Sequence, residues 1–216
     1  MLIKGKDFII LPLLFLYNIF MFNSYEEFNV AKSRCNICSI GKVYNTVVCS
    51  DGCKSNPLVL VIGEAAGSEE VEQGKPFIGK AGKLLRPILN EFGFRKSNTL
   101  ISNVIPCRPK DNQFPKDDEL VKACFEKWLK NEILITNPKY LLLVGSQPLK
   151  FILGHEGITR IRGDWYNFSL EDRIIETMPT YHPSFVLRKM YMDDGKKIMG
   201  QFRDDIKEVA RKAGFQ

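Results

Sequence analysis

The sequence predicts an α/β fold. Helices cover both faces of a short, mostly parallel four-stranded central sheet, in three α/β/α layers. Three observations carry this. Apolar runs of strand length occur at 58–62 (LVLVI), 99–105 (TLISNVI) and 140–144 (YLLLV), the continuous pattern of strands covered on both faces. Each run ends at or near a breaker: Gly63, Pro106 or Gly145. Helical segments lie between the runs, and strand–helix alternation is the pattern of a doubly wound sheet.

Taken in order, residues 1–22 stand apart. Lys4 and Lys6 precede an apolar run, Phe8 to Phe22, broken by Pro12 and Asn18. It falls short of the roughly 20 residues of a spanning helix, and no small-x-small cleavage site follows it. The run reads as an uncleaved anchor, a signal peptide, or sequence upstream of a wrongly chosen start codon. We take the third reading, with Met21 as the start and 23–216 as one domain. The first strand, 58–62, is followed by a helix at 79–92 (GKAGKLLRPILNEF). Leu84, Leu85, Ile88 and Leu89 share one of its faces, Gly93 stops it, and Pro87 sits inside. The second strand, 99–105, leads to an amphipathic helix at 117–134 with an acidic first turn. The third strand, 140–144, is followed by a fourth at 174–181 (IIETMPTY). A helix over 204–212 closes the chain.

Composition narrows the chemistry. The 216 residues carry a net charge of +6, which permits a nucleic-acid partner without demanding one. The two histidines, His155 and His182, exclude a His-rich metal site, so a metal would lean on the six cysteines or on carboxylates. Cys35-Asn36-Ile37-Cys38 is a C-x2-C pair, which in a cytosolic protein more often binds metal than forms a disulfide. Cys107 and Cys124 complete a set with gaps of 2, 68 and 16 residues. Four thiolates suit zinc or an iron–sulfur cluster, and spacing does not choose. Cys49 and Cys53 lie in what reads as a polar turn, CSDGC. Zinc nucleobase deaminases are excluded, since neither His has Glu two positions on and Pro106-Cys107 has no Cys at 110.

In a doubly wound sheet, ligands sit beyond the carboxyl ends of the strands. Gly63-Glu64-Ala65-Ala66-Gly67 follows the first strand and lacks the Walker and GxGxxG spacings. Phe77 lies in the turn before the first helix. Asn103 stands near the end of the second strand, and an Asn amide both donates and accepts. His182 follows the fourth strand in TYHPS, with Leu187 and Arg188 at the end of its loop. Each also has an ordinary structural reading: a core aromatic, a backbone-satisfying amide, a hydrogen-bonded histidine.

In this order the segments resemble the family 4 uracil-DNA glycosylases, the iron–sulfur branch of that superfamily. The resemblance rests on GEAAG with QGKPFIGKAG at 73–82, SNVIPCRP at 102–109, ITRIRG at 158–163 and YHPS at 181–184, and spans about 26–212. It implies an enzyme that flips uracil out of DNA and hydrolyses its N-glycosidic bond, leaving an abasic site for base excision repair. By resemblance Glu64 and His182 are catalytic, and Gly63, Ala65, Phe77 and Asn103 complete the uracil pocket. Ser184, Leu187 and Arg188 contact DNA, Leu187 as a wedge. Cys35, Cys38, Cys107 and Cys124 ligate a structural [4Fe–4S] cluster. The expected partner is uracil-containing DNA, single- or double-stranded, met by a cytoplasmic monomer with no membrane contact unless the N-terminal run is an anchor. Ala66 stands where the family usually has Pro, which loosens the first loop. Cys49 and Cys53 fall outside the ligand pattern. The basic, His-containing insertion of the covalent uracil-trapping proteins is missing, which favours hydrolysis. The alternative is a non-catalytic iron–sulfur protein that binds DNA or uracil.

Overall fold

The computed structural model describes residues 22–38, 40 and 47–215. The apolar run up to residue 21, with its anchor, signal-peptide and start-codon readings, lies outside them. Among the described residues no helix is long and apolar enough to cross a membrane.

One sheet forms from β1 (Asp51–Gly52), β2 (Val59–Ala65), β3 (Thr99–Ile105), β4 (Tyr140–Val144), β5 (Tyr166–Leu170) and β6 (Arg173–Thr180). Its order is β1-β3-β2-β4-β6-β5. The inner strands β3, β2, β4 and β6 run parallel and are the four expected. The sheet nevertheless has six strands rather than four, because β1 and β5 pair antiparallel on its two edges. Both lack the apolar signal for a physical reason. β1 is two residues long and half-buried, so CSDGC is a strand pairing rather than a free turn. β5 alternates half-buried and exposed residues along an edge, where only one face needs to be apolar.

Among the described residues, eight helices flank and connect these strands. They are α1 (Tyr25–Ser33), α2 (Ser68–Gln73), α3 (Lys80–Glu91), α4, α5, α6 (Ile158–Ile161), α7 (Pro183–Lys189) and α8 (Gly195–Ala213). Helix α4 joins Asp118–Cys124, a π-helical turn Phe125–Leu129 and Lys130–Thr136. Helix α5 joins Ser146–Pro148 to a π turn, Leu149–Leu153. Asp117 caps α4 by accepting from the Glu119 and Leu120 amides, as its acidic start predicts. The closing helix begins at Gly195, well before 204.

Strand periodicity divides the core. Leu60, Ile62, Leu100, Leu141 and Leu143 face one layer, with α1 and α4. Val59, Val61, Ile101, Leu142 and Val144 face the other, with α3, α7 and α8. Full burial of such side chains contributes about 1.5–3 kcal/mol each relative to exposure. Strand β2 sits between β3 and β4, so the crossovers after β2 and β3 leave in opposite directions and open a crevice at the strands' carboxyl ends.

Candidate active site

A cavity of about 420 Å³ opens there, lined by Ala65, Phe77, Asn103 and His182 among others. A smaller cleft of about 160 Å³ also borders His182 and is lined by Glu64, Ser184 and Arg188. The strand ends thus bring together most of the residues expected to act.

Gly63 pairs with Asn103 across β2 and β3. A Cβ on Gly63 would lie 2.4 Å from Asn103 Oδ1 and 2.4 Å from Phe77 Cζ. Only glycine lets the amide and the ring approach this closely. Asn103 is buried, and among the described residues its side-chain amide has no hydrogen-bond partner. An orphaned buried amide costs about 1–3 kcal/mol, a cost removed by a ligand that offers one acceptor and one donor. The Phe77 ring lies 6.2 Å from the His182 ring, inclined by 37°.

His182 caps α7. Its Nδ1 accepts the Ser184 backbone N–H at 3.2 Å and lies 2.6 Å from Ser184 Oγ. A backbone N–H can only donate, so Nδ1 is the bare nitrogen and the proton sits on Nε2. Burial, and then the Arg188 charge, lower the imidazole pKa to about 4. His182 is therefore a neutral donor at physiological pH. Burial raises the Glu64 carboxyl above its ordinary value, against the pull of Arg188.

Two residues not singled out in the sequence hold this geometry. Glu70 accepts the backbone N–H groups of Gly67, Ile78 and Gly79 at 3.1, 3.0 and 2.7 Å, tying the GEAAG loop to the Phe77 turn. Arg86 donates from Nε to the Phe77 carbonyl at 2.8 Å and from Nη2 to the Pro76 carbonyl at 2.7 Å. Its charge is met by Asp51 of β1 at 2.8 Å. Phe77 has φ +53°, a left-handed conformation that is strained for an aromatic residue and persists only when its surroundings over-determine it. Gly82 completes the clamp, since a Cβ there would fall 1.8 Å from the Phe77 carbonyl oxygen. The only sequence signal for these roles was position: a carboxylate early in a short helix, and an Arg nearly two turns into the next.

The family model of the Uracil DNA glycosylase superfamily matches residues 49–207. The chain belongs to the uracil-DNA glycosylase superfamily. A Type-4 uracil-DNA glycosylase from Sulfurisphaera tokodaii is 33% identical over 187 residues, 82% of this chain and 84% of that protein. One from Saccharolobus solfataricus is 32% identical over 76% of this chain and 80% of that protein. One from Thermotoga maritima is 34% identical over 72% and 79%.

The superfamily match contains every pocket residue and Cys107 and Cys124, and begins after Cys35 and Cys38. All four thiols are free of disulfides. Cys35, Cys107 and Cys124 are buried in one apolar cluster, and Trp128 Nε1 donates to Cys35 Sγ at 3.1 Å. Burial, and then the charges of Cys35 and Cys38, push the Cys107 thiol up to about 12. Burial, and then Cys107, do the same for Cys124. Among the described residues no group of three or more His, Cys, Asp or Glu is arranged to hold a metal ion. Of the residues expected to contact DNA, Arg188 is exposed and Ser184 and Leu187 are half-buried along α7.

Proposed function

We propose that this member of the superfamily is a uracil-DNA glycosylase of base excision repair, acting as a cytoplasmic monomer on uracil-containing DNA. The observation that carries the reading is the unpartnered Asn103 amide, buried beside the Phe77 ring and facing the neutral His182.

Uracil in a duplex is out of reach, so the nucleotide must swing into the pocket. Phe77 stacks on its face, contributing about 0.5–1.5 kcal/mol beyond area burial. Asn103 donates to O4 and accepts from N3–H. Cytosine reverses both groups and leaves the buried amide unpaired, which sites of this type reject strongly. Cleavage of the N-glycosidic bond places positive charge on the sugar and negative charge on uracil O2, by analogy with an oxocarbenium-like transition state. The His182 Nε2–H hydrogen-bonds O2 as that charge grows, and the Ala65 backbone adds a donor. Glu64 orients or deprotonates the attacking water and steadies the sugar cation. Ser184 and Arg188 hold phosphate, and Leu187 presses into the stack.

Cys35, Cys38, Cys107 and Cys124 would hold the [4Fe–4S] cluster. Four free thiols, three of them buried, are the donor set such a cluster takes. Bound, the cluster would cross-link the segment after α1 to the loop after β3 and to α4. Incubation with a uracil-containing oligonucleotide tests the activity: free uracil and an alkali-labile strand are expected, and no release at high enzyme excess would reject the reading.

A further inference from the structure

Six large apolar side chains are well exposed among the described residues, and three of them are consecutive: Met190, Tyr191 at 93% exposure, and Met192. They sit in the turn between α7 and α8, just past the end of the helix that His182 caps. The turn is tight. Met192 N–H donates to the Lys189 carbonyl and Gly195 N–H to the Met192 carbonyl, each at 2.9 Å. A Cβ on Gly195 would fall 2.5 Å from the Lys189 oxygen. The patch is thus presented outward by a fixed backbone rather than by a loose end. Lys189 pairs with Asp194 beside it, and Arg188 precedes it, lining the same cleft as Glu64 and His182.

We propose that Tyr191, flanked by Met190 and Met192, is a stacking platform for an unpaired base of the uracil-bearing strand. This rests on the glycosylase reading above and adds a contact outside the pocket. Helix α7 rises about 10 Å over its seven residues. A strand followed along α7 from the His182 end would reach Tyr191 a few nucleotides from the flipped uracil. An exposed aromatic beside a cation that tracks the backbone is how single strands are gripped without regard to sequence. Methionines supply adaptable apolar flanks. In a duplex the bases are already stacked on one another, so the contact favours single strands.

The test compares wild type, Tyr191→Ala and Tyr191→Phe on a long single-stranded uracil oligonucleotide, on its duplex, and on single strands trimmed to two nucleotides 5′ or 3′ of the uracil. Base–aromatic stacking of about 1–3 kcal/mol corresponds to a 5- to 150-fold change. Tyr191→Ala is expected to raise KM on the long single strand by that factor with kcat unchanged. Tyr191→Phe and the duplex should show little change, and trimming one side should erase the wild-type advantage. Binding of uracil-free single strands, read by fluorescence anisotropy, should weaken in parallel. That readout keeps the inference testable if wild type releases no uracil, a result that would sink the glycosylase reading instead. Equal single-strand binding by Tyr191→Ala and wild type, or an equal loss on duplex, would overturn the inference.

Discussion

In the proposed reaction His182 starts out neutral, and its Nδ1 is committed to the Ser184 backbone. Its pKa near 4 places protonation far below the ordinary histidine range. Glu64 must ionise to act, and its pKa is raised. The acid limb of kcat/KM is therefore expected to follow Glu64, with activity rising as pH increases through that carboxylate's raised pKa. Glu64→Gln should lower the rate and abolish the limb. An inflection near pH 6.5 that vanishes in His182→Gln would contradict the assignment of a neutral histidine. On the proposed function, selectivity belongs to Asn103. Asn103→Asp exchanges a donor for an acceptor opposite position 4, so it should cut uracil release by tenfold or more and admit cytosine; unchanged selectivity would remove Asn103 from the role. The positions of these residues were legible in the sequence because they stand at or just after strand ends, where the structure places them around the two clefts. Glu70 and Arg86 were not, because their partners are backbone groups, and a backbone group leaves no mark on the residue that carries it.

Single elements carry the support. Strand β1 reaches the pocket through Asp51, which pairs with Arg86 and Lys96 and so holds the guanidinium against the Pro76 and Phe77 carbonyls. Arg86→Met releases both carbonyls. It is expected to raise KM for uracil-containing DNA about tenfold or more, since a hydrogen bond to a charged group contributes roughly 1.5–3 kcal/mol, and Arg86→Lys should recover only part of the loss. On the opposite face, α1 and α4 meet through a buried ion pair: Lys32 Nζ lies 3.0 Å from Glu132 Oε2. Tyr25, Ser50 and Ser102 also donate to Glu132. Burial alone would raise the Glu132 pKa, but the Lys32 charge and these hydrogen bonds outweigh it and hold it below 4.5. The unfolded chain therefore takes up that proton first, so the stability from Glu132 is complete above about pH 4.5 and is lost as pH falls below it. Glu132→Gln strands Lys32 and should cost about 3–5 kcal/mol at pH 7 by denaturant titration, with a shallower acid loss. A variant within 1 kcal/mol of wild type would contradict this. The inner strands and the long helices were readable from their apolar runs. The edge strands and the six-residue α2 were not, since elements that short bury too few side chains to impose a pattern.

For the molecule as a whole, the two faces of the sheet divide the labour. One face, with α3, α7 and α8, carries the pocket and the proposed DNA contacts; the other, with α1 and α4, gathers the thiols. A cluster on that second face should stabilise the fold without entering the reaction. Anaerobically purified protein is expected to absorb near about 400 nm, as thiolate-bound iron–sulfur centres do. Cys124→Ser should remove the absorbance and lower Tm while leaving kcat of the surviving folded protein close to wild type. A colourless wild type that binds zinc would replace the cluster with a zinc site. The sequence could not decide between these, because four thiols at these spacings satisfy both.

The π-helical turn at Phe125–Leu129 gives α4 one residue more than a regular helix needs to span the same rise. Cys124 lies before it and Glu132 after it. Deleting one residue there would restore the α-helical repeat and swing everything beyond by about 100°, carrying Glu132 off the face that looks toward Lys32. The extra residue thus acts as a phase setting along α4, and a shortened homologue would have to relocate the carboxylate, the cysteine or both.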